Sequence, residues 1–255
     1  HWASLGNEGW SYDEILKYFK KAEHNETFDD EFHGQGGPLN VSKIRHENTP
    51  TKDFVEAGSK LYKENEDFNG GEQEGIGFYQ TTQKDGKRCS TAKAYLVPAL
   101  DRPNLTVITE ANVNKILIDN NKASGVEYID AEGESHIISA SKEVLLCSGA
   151  FGSPQILLRS GVGPREEIEK YGIEHKVDLP GVGKNLQDHI DYLTVHKYNS
   201  TQFIGTSIKA FLIKYPIEVL KYMLKKTGLF TSTIAEAGGF IKSSEAKEIP
   251  DIQLH

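Results

Sequence analysis

Residues 144–164 set the terms for any fold this chain can adopt. Val144-Leu145-Leu146-Cys147 is an apolar run suited to a strand buried on both faces. Ser148-Gly149-Ala150-Phe151-Gly152-Ser153-Pro154 follows as a tight turn of small residues. Ser153 is placed to cap a helix and Pro154 to occupy its first position. Residues 155–159 continue that helix, and Ser160-Gly161-Val162-Gly163-Pro164 end it. A strand, a glycine turn and a helix N-terminus form an α/β junction, where sheets hold nucleotides or anions. Other chains use glycine at such a junction only to turn.

The run upstream of this junction is β-rich. Strands are predicted at 105–109, 113–118, 125–129, 136–139 and 143–147, with turns at Asn120-Asn121 and Ala131-Glu132-Gly133. Before it, Ser11 and Glu14 form a capping box for a helix reaching about residue 23. A second amphipathic helix is predicted over 51–64, and 24–50 and 65–88 read as loop. Leu179-Pro180-Gly181-Val182-Gly183-Lys184-Asn185-Leu186 begins like a dinucleotide fingerprint, but Leu186 stands at the third glycine position and no strand–turn–helix context surrounds it. It is therefore not a primary phosphate loop.

Composition excludes several classes. Two cysteines, Cys89 and Cys147, cannot build a disulfide scaffold or a cysteine zinc site. Net charge is −8, from 29 basic and 37 acidic residues, so no nucleic-acid partner is expected. The nine histidines show no metal-ligand spacing, and no run is long enough to span a membrane. Residues 208–230 interleave Ile208, Phe211, Leu212, Ile217, Leu220 and Met223 with Lys209, Lys214, Lys221, Lys225 and Lys226, against the single acid Glu218. Such a stretch either lies on a membrane surface, where it could meet a quinone, or is a solvated helix face over a core broken by Pro216. Glycosylation sequons begin at Asn25, Asn40, Asn104 and Asn199, a pattern too short to fix a compartment. A cytoplasmic or peripheral-membrane location is the expectation. The ends, His1-Trp2-Ala3 and Ile252-Gln253-Leu254-His255, read as those of a fragment.

Five segments together resemble the glucose–methanol–choline (GMC) oxidoreductases, a flavoenzyme family. Residues 149–163 look like its second signature, and 178–189 (Asp178-Leu179-Pro180-Gly181-Val182-Gly183-Lys184-Asn185-Leu186-Gln187-Asp188-His189) match as closely. Residues 5–13, Arg102-Pro103-Asn104-Leu105 and Glu236-Ala237-Gly238-Gly239-Phe240 are similar too, all in family order. The nearest look is the choline dehydrogenase and alcohol dehydrogenase branch.

The resemblance implies a mixed α/β (α+β) fold: part of an FAD-binding domain of the hydroxybenzoate-hydroxylase type, interleaved with an antiparallel-sheet substrate domain. Residues 1–87 would link the two, 88–190 would belong to the FAD portion, and 191–255 would start the substrate domain. It implies FAD as cofactor, a small-molecule alcohol such as choline as substrate, hydride transfer to flavin N5, and oxygen or a quinone as electron acceptor. By the same resemblance the main chain of Val113 meets the adenine, and Ser148, Gly149 and Ala150 approach the ribose or adenine edge. Val113 otherwise reads as an ordinary core valine. Asn185, Asp188 and His189 shape the flavin pocket or else hydrogen-bond loop backbone. Glu236 faces a cationic alcohol or else is a structural carboxylate. The family's pyrophosphate loop lies before residue 1 and its catalytic His beyond residue 255, so no catalytic residue is assigned and the chain alone is expected to be inactive. A flavin-bound lyase on the same scaffold and a non-catalytic truncated or split-gene product are the alternatives.

Overall fold

The protein is described by a computed structural model over residues 1–197, 207–246 and 248–255. Its elements in chain order are α1 (Tyr12–Ala22), β1 (Glu23–Asn25), β2 (Leu39–Lys43), α2 (Thr49–Gly58), β3 (Gly75–Phe78), β4 (Gln80–Thr81), β5 (Gln83–Lys84), β6 (Lys87–Arg88), β7 (Asn112–Asp119), β8 (Lys122–Ile129), β9 (Ser135–Ser139), α3 (Gly149–Arg159), β10 (Val162–Gly163), α4 (Arg165–Glu169), β11 (Val177–Asp178), α5 (Tyr215–Lys225), β12 (Ala237–Ile241) and β13 (Ile252–Leu254). They divide into unit 1, His1–Leu105 with His196–His255, and unit 2, Thr106–Val195. These divisions fall at 105/106 and 195/196, whereas the motif-based boundaries were drawn at 87/88 and 190/191.

Unit 1 starts where its capping box places it. The Ser11 amide and hydroxyl both donate to Glu14 Oε2, at 3.0 and 2.6 Å. A three-stranded antiparallel sheet, β13-β12-β3, forms further on, with β12 in the middle. Ile76 of β3 is 1% exposed and sits in a core with Val55 of α2 and Ala237 of β12. The backbones approach closely here: a Cβ on Gly238 would overlap the Leu254 carbonyl oxygen and the Tyr79 hydroxyl. That hydroxyl donates to the same carbonyl at 2.6 Å. A second sheet, β1-β2-β4, pairs β1 with β2 in parallel and β2 with β4 antiparallel.

Unit 2 is a β7-β8-β9 meander with α3 packed on β7. Asn120 and Asn121 both take positive φ, 48° and 60°, the backbone that a two-residue hairpin demands. The Ser160 hydroxyl at the end of α3 accepts the Ile116 amide at 2.8 Å and donates to the Ile156 carbonyl at 2.5 Å. Ile116, Ile156, Val162 and Ile168 are the buried apolar residues of this unit. β10 and β11 add a short parallel pair.

Several sequence expectations need correction. The predicted loop 24–50 contains β2, where Asn40 and Ser42 are the buried residues. A strand that points its polar side chains inward has no apolar alternation to detect. The predicted loop 65–88 contains β3 and the β5–β6 hairpin, which turns on Asp85-Gly86, both at positive φ. The second helix starts at Thr49 behind Asn48 and ends at Gly58, leaving Leu61 81% exposed. Residues 105–109 and 143–147 form no ladder among the described residues, and Leu145 is 77% exposed. Their composition suits a sheet, but a strand exists only where another supplies its hydrogen bonds. Helix α3 begins at Gly149 rather than at 154, so Pro154 lies inside it. Gly149 turns the chain at φ 78°, and the Ser153 hydroxyl accepts the Ser148 amide at 3.0 Å.

Candidate functional site

The expected flavin residues all lie in unit 2. Val113 is half-buried in β7, which is an edge strand, so alternate main-chain groups face away from β8. Between Val113 and Lys115 the register shifts, putting Asn114 in a bulge that aims its side chain at two neighbours. Arg159 donates to the Asn114 side-chain carbonyl, and the Asn114 amide donates to Glu127. That Asn114 contact, assisted by Lys115, holds the Glu127 carboxyl below the usual carboxylate range.

Ser148, Gly149 and Ala150 are exposed at the start of α3. The first-turn amides of a helix have no helical acceptor, and the aligned dipoles make that end positive. Open space lies in front of Gly149, with no heavy atom within 4 Å of where a Cβ would stand. Asn185, Asp188 and His189 are exposed in the segment after β11. Asn185 holds a positive φ of 55°, and Asp188 Oδ1 accepts the His189 amide at 2.9 Å. A concavity of about 550 Å³ between β7 and the end of α3, lined by Lys115, Asp119, Arg159 and Lys176, includes none of these expected residues.

Glu236 belongs to unit 1 and is 1% exposed. Its Oε2 accepts the Asn48 amide at 2.8 Å; its Oε1 accepts Asn48 Nδ2 at 2.7 Å and the Ser232 hydroxyl at 2.6 Å. Asn48 is the residue that precedes α2, so this carboxylate sits at a helix N-terminus, where a negative charge is stabilised.

One cluster escaped the sequence. His33 is buried with Nε2 2.9 Å from Asp67 Oδ2 and Nδ1 3.3 Å from Glu23 Oε2. The Phe28 ring lies against it at 5.2 Å. Burial opposes protonation, but the Asp67 and Glu23 carboxylates outweigh it, and the imidazole pKa is raised. Asp30, His33 and Asp67 offer ligand atoms within 4.8 Å of one another. Both ring nitrogens face carboxylates, so the cluster is described as an ionic clamp. Its members stand up to 44 residues apart (67 − 23), a separation with no motif to betray it. Two sequons are also occupied by structure: Asn25 and Asn40 are buried and their side-chain amides are hydrogen-bonded, while Asn104 is exposed and Asn199 lies outside the described residues.

The model of the GMC oxidoreductase family matches residues 1–191. The chain belongs to the GMC oxidoreductase family. Over its full length it is 43% identical to the alcohol dehydrogenase [acceptor] of Pseudomonas putida, and 39% identical to the oxygen-dependent choline dehydrogenase of Rhizobium rhizogenes. It covers 46% of each, so it spans less than half the length of these GMC relatives. An FAD-dependent oxidoreductase from Chaetomium thermophilum superposes on 94% of the chain with a TM-score of 0.82 at 28% identity, the chain covering 44% of it. A pyridoxine 4-oxidase covers 72% of the chain at TM-score 0.66 and 34% identity, the chain covering 36% of it. The GMC fold of mixed helices and antiparallel sheets is therefore the fold of this chain.

Proposed function

We propose that the protein to which this chain belongs is an FAD-dependent oxidoreductase acting on the CH–OH group of an alcohol, choline or another primary alcohol. The observation that carries this reading is 43% identity over the whole chain to an alcohol dehydrogenase. The residues fit the cofactor: the exposed start of α3 at Ser148, Gly149 and Ala150, with open space in front of Gly149, suits the ribose or adenine edge of FAD. The outward main chain of β7 near Val113 would meet the adenine, which asks for one donor and one acceptor rather than a side chain. Asn185, Asp188 and His189 would wall the flavin pocket. Bound FAD supplies a two-electron acceptor for the hydride that leaves the alcohol carbon. The Glu236 carboxylate, held by Asn48 and Ser232, would favour a cationic alcohol over a neutral one. Oxygen or a quinone serves as the final acceptor, and peripheral membrane contact through residues 208–230 belongs to the same reading.

The test is anaerobic mixing of the purified, flavin-loaded gene product with choline and with neutral primary alcohols. Loss of the oxidised flavin absorption is expected with at least one. An unchanged spectrum across the panel, from a protein that retains its flavin, overturns the redox reading and leaves the lyase alternative.

A further inference from the structure

The geometry points to Asn48 as the positioning residue of the Glu236 carboxylate, and to His46 as the group that keeps Asn48 turned toward it. This rests on the reading of Glu236 as a carboxylate that favours a cationic alcohol, and it names what aims that carboxylate.

Asn48 stands at a helix cap but does not cap. It precedes α2, where an asparagine side chain ordinarily accepts the second or third helical amide. Pro50 has no amide to offer, and the Thr51 and Lys52 amides go to the Asn48 main-chain carbonyl at 3.0 and 3.1 Å. The Asn48 side chain makes no capping bond and is engaged elsewhere. Its Nδ2 donates to Glu236 Oε1 at 2.7 Å, while its main-chain amide donates to Oε2 at 2.8 Å. One residue thus grips both carboxylate oxygens and fixes the group in rotation. The far side of the Asn48 amide meets His46, with Oδ1 3.2 Å from Nε2. A carboxylate only accepts, so Nδ2 faces Glu236, Oδ1 faces His46, and the imidazole donates from Nε2.

The other side of Glu236 is fixed by a strained turn. The Ser232 hydroxyl donates to Glu236 Oε1 at 2.6 Å and accepts the Ile234 amide at 3.1 Å. Across Ile234, the Ala235 amide donates to the Thr233 carbonyl at 2.9 Å. The φ of Ile234 is 71°, a conformation that a β-branched residue resists. Such strain persists only where the surrounding bonds over-determine it, and it gathers at functional sites. The three donors to Glu236 are all neutral, so none of them cancels the charge it carries when ionised. A lysine or arginine in their place would hold the carboxylate as firmly and neutralise it toward a cationic substrate.

The test uses the flavin-loaded gene product as its source cells make it, with choline and its neutral carbon isostere as substrates. In Asn48→Ser the ratio of kcat/KM for choline over the isostere should fall about tenfold, mainly through the choline KM. His46→Phe should lower the ratio about threefold, and His46→Gln, which keeps a donor for Asn48 Oδ1, should bring it back to within about twofold of the unsubstituted protein. Where Asn48→Ser does not fold, the His46 pair decides alone. A ratio unmoved in these variants overturns the proposal, whether or not the unfolding midpoint falls, because the bonds are then only structural. So does a His46→Gln variant that behaves like His46→Phe. Equal kcat/KM for the two alcohols in the unsubstituted protein rejects the Glu236 reading and the proposal with it. Flavin bleaching by no alcohol rejects the redox reading as well, whereas bleaching with an unmoved ratio rejects the positioning role alone.

Discussion

Glu236 carries three hydrogen bonds in the interior of unit 1, and two of its three donors belong to Asn48. Glu236→Gln keeps the shape but turns one acceptor into a donor facing another donor. A buried amide left unpaired costs about 1–3 kcal/mol, so denaturant unfolding should show a loss of that size. The charge change is read separately. In the flavin-loaded enzyme the KM for choline should rise while that for a neutral alcohol of similar size changes little; equal changes for the two would leave Glu236 a purely structural role. Gly238 makes a different demand. Alanine there meets the Leu254 carbonyl and the Tyr79 hydroxyl, and neither backbone oxygen nor packed ring moves away cheaply. Gly238→Ala should destabilise by about 1–3 kcal/mol or more in the same assay, with loss of the β12–β13 pairing. Both residues were legible as members of Glu236-Ala237-Gly238-Gly239-Phe240. What the sequence could not show is Asn48, 188 residues away, because only the fold brings a helix N-terminus to that carboxylate.

The clamp around His33 joins elements rather than residues. Glu23 starts β1, Asp67 lies in the segment before β3, and Asp30, in the segment between β1 and β2, accepts the His33 amide at 3.1 Å. The folded state raises the imidazole pKa, so it binds that proton more tightly than the unfolded chain does. The resulting stability is fully present below the unfolded value near 6.5 and is lost as pH rises through the higher folded value. Unfolding midpoints measured from pH 6 upward should fall in the wild type, and His33→Gln should flatten that part of the curve. A wild-type and variant pair with parallel curves would contradict the clamp. Elements were legible where their signals are local. The Ser11–Glu14 box and the Asn120-Asn121 turn are where the sequence puts them. The miss at β2 has a partner distant in sequence as its cause: Gln83 offers its carbonyl to both Asn40 and Ser42. The early start of α3 is local, where the Ser148 amide donates to the Ser153 hydroxyl. The glycine turn at 148–150 was legible in the sequence, and its exposure at the start of α3 was not. Gly149→Val places a β-branched residue at φ 78°, so weaker flavin retention and a lower unfolding midpoint are expected, read by flavin fluorescence after gel filtration.

Within each unit, large apolar side chains stand in water. Within unit 2, Leu145, Phe151, Ile190 and Leu193 are 77%, 78%, 101% and 81% exposed, and the apolar run at 144–147 has no ladder among the described residues. Within unit 1, Leu61 and Phe211 are 81% and 70% exposed. Side chains of this kind stabilise a fold only when removed from water, at about 25 cal/mol per Å². A chain that leaves so many in water lacks the margin that a cooperative fold needs, since net stability is a small difference between large terms. These 255 residues expressed alone should therefore bind a hydrophobic dye, unfold without a sharp transition, retain no flavin and oxidise no alcohol. The gene product isolated from its source cells should instead have an intact denatured mass well above 28.4 kDa and a single sharp transition with flavin bound. A yellow, active and cooperatively folding preparation of the 255 residues alone would refute this. A native mass near 28.4 kDa with no co-purifying chain would refute the fragment expectation and make a non-catalytic product the better account.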